Sequence, residues 1–280
     1  MARVFISYGS GEYAKSLQRI GREAKKLGLF SKIILFSEKD MPPFIKASPL
    51  KAYPRGDGYW AWKPYIIWKT LQDYPNDIVV YADCGCTLQD NISEWETWFQ
   101  YLNTYKTLVF QYRSDIEYPW QSSTVSGMSS QQWTKQSVID YFSPLFENQE
   151  WVYSNQIWAG AIITRGKNSL IKMWLDIALF HPELFMDVYG KEAYLQSDSF
   201  IEHRHDQSLL TALCLFWLSK GEMVKIIPET SESSPSAAIV ASRIHDKKRV
   251  PFSSKLKKIA KNLLGDALYS KLRLWKKRQC

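Results

Sequence analysis

The run Asp77-Ile78-Val79-Val80-Tyr81-Ala82-Asp83-Cys84-Gly85-Cys86 is the strongest constraint on what this chain can fold into. Ile78, Val79 and Val80 are consecutive β-branched residues with no polar alternation. That pattern belongs to a strand buried on both faces in the middle of a parallel sheet. The run ends on an acid, and Gly85 breaks the strand two residues later. Open α/β sheets take ligands at the carboxyl ends of their strands. Asp83 is therefore expected to face a crevice, on a loop whose glycine lets a ligand approach the backbone. A hard cation carrying phosphates suits a carboxylate in that position. The same residues also fit an ordinary Asp-x-Gly turn.

The flanking chain reads as alternating strands and helices. Val4-Phe5-Ile6 is a first strand ending in Ser7-Tyr8-Gly9, and Tyr13 to Leu27 has apolar residues at helical spacing before Gly28 stops it. Lys32 to Phe36 is a second strand, so the opening predicts a right-handed parallel β-α-β unit. A proline-rich loop leads through Gly58-Tyr59-Trp60-Ala61-Trp62 into a helix, with Pro64 in its first turn and its end near Leu71. Further helices are expected over Ile92 to Leu102, Val138 to Phe142, Leu170 to Leu179 and Leu209 to Leu218. Further strands are expected over Leu108 to Tyr112, Gln156 to Thr164 (interrupted by Gly160) and Val224 to Pro228. The fold class is α/β: a single Rossmann-like domain with a mostly parallel central sheet over residues 1–249, then a basic amphipathic helix over 250–280.

Charge separates these two parts. Nine of the 36 Lys and Arg fall in residues 250–280 but one of the 28 Asp and Glu, so the tail carries the whole net +8. Basicity therefore says little about the main domain's ligand. The aromatic share, 15% with 12 Trp and 16 Tyr, suits a cleft for polar ligands such as sugars, where a ring offers an apolar face and a polar edge; a large aromatic core also absorbs many of them. The four cysteines show no zinc spacing, and Cys84 and Cys86 are too close to pair comfortably, which predicts reduced thiols. Met1-Ala2-Arg3 leads straight into a strand-like run, and no apolar stretch reaches the roughly 18 residues of a membrane span. The expected location is cytoplasmic.

Taken together, Gly58-Tyr59-Trp60-Ala61-Trp62-Lys63-Pro64, the strand into Asp83-Cys84-Gly85, Trp133-Thr134-Lys135, Trp158-Ala159-Gly160 and His203-Arg204-His205-Asp206-Gln207-Ser208 carry a resemblance. In order and spacing, over roughly residues 4–245, the chain resembles GT-A-type nucleotide-sugar glycosyltransferases of bacterial capsule and lipopolysaccharide assembly. The resemblance implies a nucleotide-sugar donor, with a UDP-sugar as the expectation, and a lipid-linked or growing cell-surface glycan as acceptor. Asp83 resembles the start of the Asp-x-Asp metal motif, with Gly85 replacing the second acid. It implies Mn²⁺ or Mg²⁺ on Asp83, with His245 as a second ligand. Donor contacts are implied at Ser7, Tyr8, Gly9, Trp62, Lys63, Asp83, Gly85, Gly160 and Arg243. Acceptor contacts are implied at Trp133, Trp158 and His203, and catalytic roles at Asp206, Asp198 and His205.

The chemistry behind these roles is direct. A leaving nucleoside diphosphate needs its developing charge met by a cation or by side chains such as Lys63 and Arg243. An inverting transfer needs a carboxylate base near the acceptor hydroxyl, for which Asp206 and Asp198 are candidates; a retaining transfer needs none. The cluster from His203 to Gln207 holds more polar groups than capping a helix requires. A nucleotidyltransferase is the alternative enzyme, but Ser7-Tyr8-Gly9-Ser10-Gly11 has no basic residue until Lys15. A non-enzymatic glycan-binding or membrane-associated protein would not need Asp83. In residues 252–278, Leu256, Ile259, Leu263, Leu264, Leu268, Leu272 and Trp275 recur at helical spacing among lysines. This predicts peripheral attachment to an anionic membrane surface, at its inner face. No nucleic-acid motif is found.

Overall fold

A computed structural model of the chain describes residues 1–118 and 127–244. Its strands are β1 (Arg3–Tyr8), β2 (Lys32–Phe36), β3 (Ile78–Ala82), β4 (Thr87–Leu88), β5 (Thr107–Gln111), β6 (Ile157–Arg165), β7 (Val224–Pro228) and β8 (Ile239–Val240). Six of them form one sheet in the order β2-β1-β3-β6-β5-β7, and β4 pairs with β8 in a small ribbon. β1 runs parallel to β2 and β3, and β5 parallel to β7, while β6 is antiparallel to both its neighbours. The sheet is thus mostly parallel, and the architecture is α/β as its alternating elements require.

Every residue of β3 is buried, as its unbroken apolar run demands. Helices cover both sides. Ala14–Leu27 and Ile92–Thr104 pack on one face with Phe5, Val80 and Ala82. Lys63–Asp73, Ser169–Phe180 and Asp206–Ser219 pack on the other with Val4, Val79 and Tyr81. The alternation along β3 divides its side chains between these two cores.

The reversed strand matters for the site. It brings the amino end of β6, Ile157 to Gly160, to the edge where the parallel strands end. There Asp83 N–H donates to Gly160 O at 2.8 Å. Gly160 does not interrupt β6, which is continuous across it. Much of the aromatic content is core: Trp62, Trp95, Trp98, Trp133, Trp151, Trp158 and Trp174 are all buried. The basic segment 252–278, His245 and the boundary at residue 250 lie outside the described residues.

Candidate functional site

Four side chains, Lys63, Tyr81, Asp83 and Asp206, meet at the carboxyl end of β3. Tyr81 and Asp83 are two residues apart, so both leave the strand on the Lys63–Asp73 side. Pro64 in the first turn of that helix fixes its start. Lys63 points inward from that turn. Its Nζ lies 2.5 Å from Asp206 Oδ2, 2.9 Å from Ala159 O and 3.3 Å from Asp83 Oδ1. These acceptors match the three N–H donors of an ammonium group. Tyr81 OH also donates to Asp83 Oδ1. Both neighbours thus use the same oxygen of Asp83, and Oδ2 is left to the crevice. The side chains of Lys63 and Asp206 are 2% and 7% exposed, while that of Asp83 is 37% exposed.

The charges follow from this burial. Loss of water alone would pull the Lys63 pKa down, but Asp206 and Asp83 outweigh it and hold it above the ordinary lysine value. Burial pushes the Asp206 carboxyl up to about 6, against the pull of Lys63. One ammonium against two carboxylates leaves the cluster net negative, with its negative end open at Asp83. That arrangement attracts a cation and repels a bare phosphate.

Two strained segments flank the cluster. Gly56, Asp57, Gly58, Tyr59 and Trp60 all have positive φ, from 52° to 94°, forming a left-handed turn closed by Tyr59 N–H to Arg55 O and Trp60 N–H to Gly56 O. Tyr59 and Trp60 there each cost roughly 1–2 kcal/mol. Asp57 ties the turn to β1 by accepting from Tyr8 OH, from Ser10 Oγ at 2.8 Å and from Lys51 Nζ at 2.6 Å. His205, directly before Asp206, has φ +51°. Its ring packs against Tyr59 and Trp60, with centroids 4.7 and 5.8 Å apart. The strained backbone before Lys63 therefore supports the strained backbone before Asp206.

Several residues named from the sequence are structural at this edge. Ser7 is fully buried and donates to Ala82 O at 2.7 Å. The Tyr8 ring stacks on Trp62 with centroids 4.0 Å apart, and both are buried. A Cβ at Gly9 would lie 2.9 Å from Leu17 Cβ, so this glycine admits the first helix. The space above Gly160 is filled by the Trp158 indole, where an added Cβ would come within 2.2 Å of the ring. Trp133 is buried beneath the Arg204 guanidinium.

The histidines are also inward. His203 Nε2 donates to Leu184 O at 2.9 Å, and His205 Nδ1 donates to Phe185 O at 2.8 Å. Burial, and then the neighbouring His205, lowers the His203 pKa; burial and Arg55 bring His205 down to about 4. Both rings are therefore neutral at pH 7 and hold the 181–205 segment in place. Asp198 is exposed on that segment, away from the Lys63 cluster's hydrogen bonds. Of the implied donor contacts, the one nearest Asp83 in the chain is Gly85, against which the backbone of Arg243 packs. An added Cβ at Gly85 would stand 3.6 Å from Arg243 Cα, and Arg243 reaches Glu232 at 2.8 Å.

A divalent cation fits this edge in one respect. The Asp83 side chain is 37% exposed, and its Oδ2 accepts no hydrogen bond among the described residues. Among the described residues no group of three His, Cys, Asp or Glu side chains gathers there. Mg²⁺ tolerates so few protein ligands, because it keeps waters and takes phosphate oxygens.

Sequence reasoning missed Tyr81, Asp57 and Arg19. Tyr81 was legible: a tyrosine two residues before Asp83 shares its side of the strand. Arg19 on the first helix grips the carbonyls of Cys84 and Cys86, a contact across 65 residues with no local signal.

No protein-family model matches the chain, and no curated protein matches its sequence. Among solved structures, it is similar to a glycosyltransferase involved in glycosylation of the major capsid of PBCV-1, with 9% identity over 81% of this chain and 82% of that one, at a TM-score of 0.43. It is also similar to mouse xyloside xylosyltransferase 1 in its apo form, with 13% identity over 81% and 85% of the two chains, at 0.38. A third is described as a glucose-1-phosphate thymidylyltransferase from Bacillus anthracis, with 10% identity over 81% and 87%, at 0.35.

Proposed function

We propose that the chain is a glycosyltransferase that moves a sugar from a nucleoside-diphosphate donor, a UDP-sugar by expectation, to a hydroxyl of a cell-surface or lipid-linked glycan. The observation that carries this reading is the pinned Asp83: one oxygen held by Tyr81 and Lys63, the other accepting no hydrogen bond among the described residues, on a side chain 37% exposed. A net negative cluster that opens on one carboxylate oxygen suits a cation bridging to a diphosphate.

Asp83 would hold Mg²⁺ or Mn²⁺, with His245 as a candidate second ligand. When bound, the ion would neutralise charge on the departing diphosphate. In the transfer the acceptor hydroxyl oxygen bonds the sugar's anomeric carbon, the bond from that carbon to the phosphate oxygen breaks, and the hydroxyl proton passes to the departing diphosphate or to solvent. The diphosphate leaves with the electron pair. Arg243, whose backbone packs against Gly85 while its guanidinium meets Glu232, is the candidate for a further positive charge on the diphosphate. Lys63 orients Asp83 and does not meet phosphate, because its three donors are satisfied within the protein. Asp206 is likewise a positioning residue, since it is buried on Lys63. The basic segment 252–278 would hold the enzyme at an anionic membrane surface near a lipid-linked acceptor. Among the described residues, no helix is long and apolar enough to cross a membrane.

Calorimetric titration with UDP, with and without Mn²⁺, tests the reading when run beside Asp83→Ala. UDP binding that requires the metal and is lost in Asp83→Ala is the expected result. Binding indifferent to both would remove Asp83 from the donor site. Failure of UDP, GDP and CDP alike would overturn the glycosyltransferase reading.

A further inference from the structure

Residues 83–86 form a tight turn in which Cys86 N–H donates to Asp83 O at 2.9 Å, with Cys84 and Gly85 at its centre. The central peptide of such a turn can flip, and glycine at the third position makes both orientations accessible. One side chain decides the orientation here. Arg19, on the Ala14–Leu27 helix, donates through Nη2 to Cys84 O at 2.9 Å and to Cys86 O at 2.7 Å. Its Nη1 is fixed by Glu23 at 2.7 Å, one helical turn on.

Peptide planarity carries the consequence. If Cys84 O points at Arg19, the N–H of Gly85 in the same peptide points the opposite way. Arg19 stands on the helix side of the sheet where Cys84 and Cys86 pack with Leu17 and Ile20. The opposite way leads to the side of Tyr81, Lys63 and the Asp83 carboxylate. Gly85 N–H has no acceptor among the described residues, and Gly85 O is taken by Ile244 N–H at 3.0 Å.

We infer that Gly85 N–H is a binding contact for an anionic oxygen of the donor's diphosphate, and that Arg19 is the positioning residue that aims it. The inference rests on the donor reading above and deepens it. The cluster then offers a carboxylate oxygen for a cation and, beside it, a backbone donor for a phosphate oxygen. A side chain that bound phosphate directly would add charge to the crevice. Arg19 instead spends its charge on two carbonyls and leaves a neutral N–H, which suits an oxygen already shared with a metal ion.

The test uses the full chain labelled with [15N]glycine, the Gly85 resonance being assigned by its loss in Gly85→Ala. On titration with UDP and Mg²⁺ the Gly85 amide should move downfield, and with uridine alone it should stay in place. Arg19→Met should bind UDP about tenfold more weakly, as loss of one such hydrogen bond predicts, with uridine binding unchanged and Arg19→Lys in between. If UDP moves other glycine resonances but not Gly85, the inference fails while the donor reading stands. Arg19→Met binding UDP as tightly as the unmodified protein also overturns it, as does equal loss of UDP and uridine. Should Arg19→Met not fold, the Gly85 shift and Arg19→Lys decide. If no nucleoside diphosphate moves any resonance, the donor reading falls, and this inference with it.

Discussion

Lys63 Nζ lies 2.5 Å from Asp206 Oδ2 across 143 residues of sequence, with both side chains out of water. The pair joins the start of one helix to the start of another and aims Asp83 between them. Removing the ammonium leaves two carboxylates facing each other without a cation, one of them buried. Lys63→Met should therefore cost roughly 3–5 kcal/mol in urea unfolding, the range for breaking one side of a buried ion pair. Lys63→Met with Asp206→Leu should recover a large part of that loss. A double variant as unstable as the single one would show that the cost lies in packing rather than in the stranded charge.

Asp83 should behave in the opposite way. Its side chain is 37% exposed, and its neighbours Tyr81 and Lys63 keep other contacts. Asp83→Asn keeps the shape and both oxygen-side hydrogen bonds, so thermal unfolding should shift little. Transfer activity with a UDP-sugar, once an acceptor is found, should fall by about 100-fold or more, because the loss of the charge acts on the cation and hence on the leaving group. A variant that unfolds early but turns over normally when folded would assign Asp83 to structure alone.

A buried carboxyl at the end of β7 gives a pH signature. Glu229 is fully buried; one oxygen accepts Glu232 N–H at 2.6 Å, and the other has no hydrogen-bond partner among the described residues. Burial raises its carboxyl from 4.5 to about 7. A raised folded pKa contributes stability that is fully present below about 4.5 and is lost as pH climbs through 7. Glu229→Gln keeps the acceptor for Glu232 and removes the titration. The variant should match the unmodified protein at pH 4 and exceed it at pH 8, by an amount on the order of 3 kcal/mol. Unfolding free energies measured across that interval check it; a constant difference at all pH values would refute the assignment.

The fold was legible because its signals are local. The β-branched run of β3, the 3.6-residue period before Gly28 and Pro64 at a helix start each fix an element within a few residues of where it lies. The direction of β6 was not legible, since nothing in an apolar run distinguishes a strand from its reverse. At the site, Asp83, Gly85 and Arg243 could be named from the motif and its surroundings, and the backbone of Arg243 packs against Gly85, two residues after Asp83. Lys63 and Asp206 were named too, but for phosphate and proton work. Only their separation in space shows that they neutralise each other. The resemblance implies Gly160 as a donor contact and Trp158 as an acceptor contact, yet the indole lies over the glycine.

The left-handed turn is the least legible element, and it supports a last prediction. Tyr59 and Trp60 are poor residues for positive φ, and only Gly56, Asp57 and Gly58 hint at it. Two glycines with nearly the same φ separate conformation from packing. Gly28, at +66°, caps the first helix with nothing within 4 Å of an added Cβ, whereas Gly56, at +60°, has the Trp60 ring 2.3 Å from that position. Gly28→Ala should cost about 1–2 kcal/mol, the conformational cost alone. Gly56→Ala carries that same cost and must also displace the indole that packs on His205, so its loss should exceed about 3 kcal/mol. Adding Trp60→Ala to Gly56→Ala removes the clash and should recover part of the loss. If Gly56→Ala is no worse than Gly28→Ala in thermal unfolding, Trp60 yields freely and the turn does not brace His205. If it is worse and the double variant recovers, the indole is the strut between the two strained segments that position Lys63 and Asp206.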